Sequence, residues 1–94
     1  MNKYETVILL DENITEEQRL AVISKIENYI KENGEITNEE NIGRRKLAYQ
    51  VRMQDYAYYY IIEFSTEPQN ISELERIYRI TDEILKFIVV RKED

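Results

Sequence analysis

The chain has 94 residues, 43% of them hydrophobic and 34% charged, with a formal net charge of −6. That length gives one domain with a core of its own, and the composition is globular rather than disordered. No apolar run approaches the roughly 20 residues of a membrane span, and the opening Met1-Asn2-Lys3-Tyr4-Glu5 lacks a signal-peptide pattern. With no cysteine there is no disulfide and no thiolate metal site, so a cytoplasmic protein is expected.

In chain order, Lys3 to Leu10 is rich in Thr, Val, Ile and Leu and predicts a largely buried strand. A turn at Asp11-Glu12-Asn13 leads into Thr15-Glu16-Glu17-Gln18, a capping box. Leu20, Ile23, Ile26 and Ile30 then fall at helical spacing and predict one buried stripe. Glu27 and Lys31 make an i,i+4 pair on the exposed side. Gly34 is expected to stop this helix by taking the left-handed conformation that only glycine adopts cheaply.

Glu35 to Asn41 is a polar strand anchored by Ile36, and Gly43 predicts a bulge or bend. Strand character resumes over Leu47 to Val51. After a short connection at Met53 to Tyr56 comes the strongest strand signal, Ala57 to Phe64. Alternation puts Tyr58, Tyr60, Ile62 and Phe64 on one face and Tyr59, Ile61 and Glu63 on the other. Pro68 opens the next transition, with Asn70 or Ser72 expected to cap a second helix whose apolar positions are Ile71, Leu74, Ile77 and Tyr78. Thr81-Asp82 ends it, and Ile84 to Val90 is the last strand.

The order strand, helix, strand, strand, helix, strand predicts an α+β fold of the ferredoxin-like, split βαβ kind. It would be a four-stranded antiparallel sheet with two helices on one face, and the whole chain, residues 1–94, forms the domain.

Catalytic parts are scarce. There is no histidine, and the two glycines, Gly34 and Gly43, build no phosphate loop. The acidic pairs Asp11-Glu12, Glu16-Glu17 and Glu39-Glu40 read as solvated surface, with no spacing for a dedicated metal site. No enzyme activity, cofactor or metal is expected.

Charge is unevenly spread. Residues 1–41 hold 4 basic and 10 acidic side chains, residues 63–94 hold 5 and 8, and the stretch between carries Arg44, Arg45, Lys46 and Arg52 against Asp55 alone. Arg44, Arg45 and Lys46 beside a glycine bend would all point outward and suit a phosphate backbone. The bland alternative has them neutralise Glu35, Glu39 and Glu40 across the hairpin. From charge alone the two readings are level. Eight tyrosines, five of them between Tyr49 and Tyr60, leave aromatic material on the sheet face that the helices do not cover, as a partner-docking sheet would. Asp55-Tyr56-Ala57-Tyr58 supplies only part of the stacking signature of RNA-recognition domains.

Five stretches together resemble the bacterial small-subunit ribosomal protein S-six family. They are Lys3-Tyr4-Glu5, Gly43-Arg44-Arg45-Lys46-Leu47-Ala48-Tyr49, Tyr58-Tyr59 to Phe64, Leu74 through Arg79-Ile80-Thr81-Asp82, and Ile84-Leu85-Lys86 to Val90-Arg91. Gln50 and Ala57 depart from the proline and glycine frequent in that pattern. The resemblance implies the same fold and a non-catalytic role: binding the central domain of small-subunit ribosomal RNA together with a basic partner, ribosomal protein S-eighteen. It implies RNA contacts at Arg44, Arg45 and Lys46, then Lys3, Arg79, Lys86 and Arg91. It matches Tyr4, Tyr49 and Tyr59 to aromatic positions of the pattern, as candidate partner contacts with packing or stacking the open alternatives. Ending at Lys92-Glu93-Asp94, the chain is expected to lack functions tied to the long acidic tail of some members. The competing expectation is a regulatory ferredoxin-like module that self-associates through its sheet.

Overall fold

The first strand, β1 (Asn2–Asp11), is followed by helix α1 (Glu16–Asn33), strands β2 (Gly34–Val51) and β3 (Gln54–Thr66), helix α2 (Gln69–Arg79) and strand β4 (Ile84–Lys92). The computed structural model describes residues 1–92; Glu93 and Asp94, the acidic close of the chain, lie outside the described residues. All three strand pairings are antiparallel and the sheet order is β2-β3-β1-β4. This is the expected ferredoxin-like arrangement.

The capping box of α1 is present in both directions. The Gln18 amide donates to Thr15 Oγ1 at 3.2 Å, and the Thr15 amide donates to Gln18 Oε1 at 2.8 Å. Val22, Ile23, Ile26 and Ile30 are buried, but Leu20 is 59% exposed, against expectation. The reason is rotational. Residues two apart on a helix lie about 200° around its axis, so burying Val22 turns Leu20 outward. Glu27 also departs from its expected exposed site: it is half-buried and faces Glu39.

Gly34 does end α1, but not in the left-handed region. Its φ of −178° and ψ of −146° are extended, and it is the first residue of β2. A Cβ there would sit 2.1 Å from the Ser65 carbonyl oxygen, so glycine is required by the close approach of β3 and not by a cap. The helix end is held from outside instead, with Thr66 Oγ1 donating to the Asn33 carbonyl at 2.7 Å.

At α2 the N-cap is Pro68 with no side-chain cap, so neither Asn70 nor Ser72 plays the expected part. Asn70 lies inside the first turn, where its Nδ2 donates to Thr66 Oγ1 at 3.0 Å. It ties α2 to β3 rather than closing the helix. Ser72 only approaches the Gln69 carbonyl at 3.5 Å.

Alternation along β3 is as read from the residues. Ile62 and Phe64 join Ile8, Leu10, Ile26, Ile30, Leu74 and Tyr78 in the core beneath the helices. The opposite face differs from a bare sheet. Leu9, Leu47, Ala57 and Leu85 form a second buried cluster there, with Val7, Val51 and Tyr59 against it. The end of the β2–β3 hairpin is drawn toward the start of β4: Arg52 Nη1 donates to the Asp82 carbonyl at 2.9 Å, and Lys86 Nζ donates to the Tyr49 hydroxyl. The chain therefore covers part of its own open face.

Candidate nucleic-acid interface

β2 is an edge strand, and its polar length follows from that position, since only one of its edges is paired. The pairing with β3 shifts register between Asn41 and Gly43, where Gly43 takes φ +88°. The bulge expected at Gly43 is there, and its positive φ is the reason for glycine.

Arg44, Arg45 and Lys46 are all exposed, but they do not project together. Beyond the bulge the ladder resumes as Arg44↔Tyr58, Arg45↔Ala57 and Lys46↔Tyr56. Ladder partners share a face and neighbours alternate, so Arg45 lies on the face of the second cluster, while Arg44 and Lys46 lie on the helix side. The bend precedes the cations and leaves their alternation intact.

Their surroundings differ as well. Arg44 donates from Nε and Nη2 to Glu12 Oε1 at 2.9 and 2.8 Å, and its guanidinium lies 3.8 Å from the centre of the Tyr56 ring. Hydrogen bonding to Glu12 pushes its already high pKa further up. The acid that meets Arg44 is thus Glu12 in the β1–α1 turn, not Glu35, Glu39 or Glu40 across the hairpin. Arg45 Nη1 donates to the Arg44 carbonyl at 3.1 Å. Of the three, Arg44 is the one whose fork is already occupied.

The remaining candidates fall at two ends of the sheet. Lys3 and Arg91 are exposed, and Lys3 sits opposite Ser65. Ser65 lies eight residues along β3 from Ala57, the partner of Arg45, a separation of about 26 Å. Lys86 and Arg79 are exposed near the hairpin end, with Lys86 Nζ 5.0 Å from the centre of the Tyr49 ring. Tyr49 is 63% exposed, and Tyr59 is half-buried against the second cluster. Tyr4 is corrected outright. It is 7% exposed and stacks on Phe64 with ring centroids 5.7 Å apart, so it belongs to the core and offers no partner contact. Arg52 was missed: as the only cation in the hairpin turn it had no motif around it, and its place beside Arg79 and Lys86 depends on the folded hairpin.

Further along the helix side, before the bulge, carboxylates take the place of cations. The Tyr60 hydroxyl donates to Glu39 Oε2 at 3.0 Å, and burial followed by Glu39 pushes this phenol up to about 12. Glu27 is pushed up to about 7 by its hydrogen bond with Glu39, then by burial and by repulsion from Glu39, with Lys31 pulling the other way. A carboxyl that binds its proton more tightly when folded favours the folded state below its unfolded value of 4.5, and that contribution is lost as pH rises through 7. Both groups are largely solvent-screened, so the loss amounts to about 1 kcal/mol or less. Glu27→Gln is expected to flatten the pH dependence of urea stability between pH 5 and 8 and to raise stability at pH 8. An unchanged profile would mean the carboxyls do not share a proton.

Among the described residues no three His, Cys, Asp or Glu side chains converge on a metal position. A twisted sheet backed by two helices, with exposed cations on an edge strand and around a curled hairpin, defines a ferredoxin-like protein built to bind.

A family profile described as ribosomal protein S6 matches residues 3–91. The small ribosomal subunit protein bS6 of Caldanaerobacter subterraneus subsp. tengcongensis is 41% identical over all of both chains. That of Clostridium novyi is 42% identical over 99% of each. The crystal structure of 30S ribosomal protein S6 from Thermotoga maritima superposes with a TM-score of 0.93 at 32% identity, over 97% of this chain and 87% of that one. The chain belongs to the ribosomal protein S6 family. It is a structural, non-catalytic, RNA-binding constituent of the bacterial small ribosomal subunit, and works in the cytoplasm with the ribosome.

Proposed function

We propose that this chain holds small-subunit ribosomal RNA by its phosphate backbone, and does so paired with ribosomal protein S-eighteen. The observation that carries the reading is the exposed basic run Arg44–Lys46 on an edge strand of a chain whose net charge is −6. Phosphate contacts from Arg and Lys fix position and provide affinity without reading sequence. Arg45 and Lys46 are the foremost contacts, since Glu12 and Tyr56 already engage Arg44. Lys3, Arg79, Lys86 and Arg91 add contacts at the two ends of the sheet.

The surrounding acidity supports the second half of the proposal. Alone, the chain repels an RNA surface over most of its own, whereas a strongly basic partner offsets that charge. The exposed ring of Tyr49 and the half-buried Tyr59 suit a protein neighbour. Co-purification at low salt tests this. Small-subunit RNA and a small basic protein retained together are expected; a clean RNA-free homodimer would overturn the reading and favour self-association through the sheet.

A further inference from the structure

Between the end of the β2–β3 hairpin and the corner joining α2 to β4 lies a cleft of about 320 Å³. Three cations line it, Arg52, Arg79 and Lys86, together with Tyr78 and Phe87, and among the described residues no Asp or Glu does. The cations come from three separate elements: the hairpin turn, the last residue of α2 and the early part of β4. We infer that this cleft is a second phosphate-binding site, taking one backbone phosphodiester of the bound RNA. The inference rests on the RNA-binding reading above and adds a site centred on Arg52.

Two of the cations are held yet keep donors to spare. Arg52 uses one Nη1 hydrogen on the Asp82 carbonyl at 2.9 Å, which leaves the rest of a five-donor fork. Lys86 gives one of its three hydrogens to the Tyr49 hydroxyl. Arg79 is exposed at the rim. A planar fork beside a compact ammonium is the donor set that a phosphate's oxygens accept.

The backbone supplies an independent observation. Arg52 and Met53 have φ of +49° and +63°, values a two-residue hairpin turn normally gives to Asn-Gly. Side chains held in this region are strained, and such strain collects at binding sites. Glycine at position 52 would relieve it but would remove the guanidinium from the cleft.

The test is the salt dependence of binding to a central-domain fragment of small-subunit RNA, with the basic partner protein present. Wild type, Arg52→Gly/Arg79→Gln and Arg45→Ala/Lys46→Ala would be compared. The cleft variant is expected to melt no lower than an Arg79→Gln control, because glycine suits the turn. Its slope of log affinity against log salt should nevertheless fall by about 0.7–0.9 for each phosphate no longer neutralised. It should also lose protection at phosphates that Arg45→Ala/Lys46→Ala leaves protected. A folded cleft variant with the wild-type slope and footprint, while the Arg45/Lys46 variant loses both, overturns the cleft and leaves the wider reading standing. Should wild type itself fail to bind the fragment, both readings fall.

Discussion

Gly34→Ala is expected to destabilise the protein by about 3 kcal/mol, the upper part of the range for overpacking. The added methyl carbon would lie 2.1 Å from the Ser65 carbonyl oxygen and 3.0 Å from Thr66 Cβ. The first of these is backbone, paired within the β2–β3 ladder, and cannot swing aside like a flexible side chain. Relief requires the start of β2 to move away from β3, which also disturbs the Thr66 hydroxyl bond to the Asn33 carbonyl. Gly43→Ala is the contrasting case. It has open space around the added carbon but φ +88°, so only the conformational cost of about 1 kcal/mol applies. Urea midpoints of the two variants measure the difference. If Gly43→Ala proves the worse of the two, the conformational requirement outweighs the close approach.

Tyr78→Ala should cost still more, about 4 kcal/mol. The side chain is 1% exposed and its ring lies 4.8 Å from that of Phe87. Its hydroxyl meets Thr6 Oγ1 at 3.0 Å, and Thr6 in turn donates to the Ile88 carbonyl at 2.9 Å. Because a threonine hydroxyl has one hydrogen, Tyr78 is the donor in this pair. Burial pushes its pKa well above 10, so the donor persists across the working pH range. Tyr78→Phe keeps the ring and removes only the hydroxyl, and is expected to cost about 1 kcal/mol. Equal destabilisation in the two variants would assign the stability to the hydrogen bond rather than to packing.

What the residues declared and what they withheld divides along sequence distance. The Thr15–Gln18 box is a local device within four residues, and it formed as written. The alternation from Tyr58 to Phe64 follows from the strand repeat and put Ile62 and Phe64 in the core. Gly34 was correctly placed at the helix end for the wrong reason, because Ser65 is far along the chain and the left-handed cap is the commoner explanation. Arg44 likewise had no visible partner, since Glu12 is 32 residues away. Tyr4 lies next to a strand start, where exposure and burial look alike until the facing Phe64 is known. Arg52 is a single cation in a turn, and only the curl of the hairpin brings it to α2 and β4.

The candidate RNA surface changed in the same way. Composition marked residues 42–62 as the basic stretch, and the fold separated its three consecutive cations. Alternation sends Arg45 to one side and Arg44 and Lys46 to the other, and Glu12 engages Arg44. A single-substitution series should reflect this, with Lys46→Ala lowering the salt slope more than Arg44→Ala.

The most direct test of RNA gripping by β2 is the salt dependence of binding to the central-domain RNA fragment, in the presence of the basic partner, for wild type and Arg45→Ala/Lys46→Ala. Removing both cations should lower the slope by roughly 1.4–1.8, the value for two phosphates, while the variant stays folded. A folded variant whose slope equals that of wild type would contradict the claim that this strand edge grips the RNA backbone.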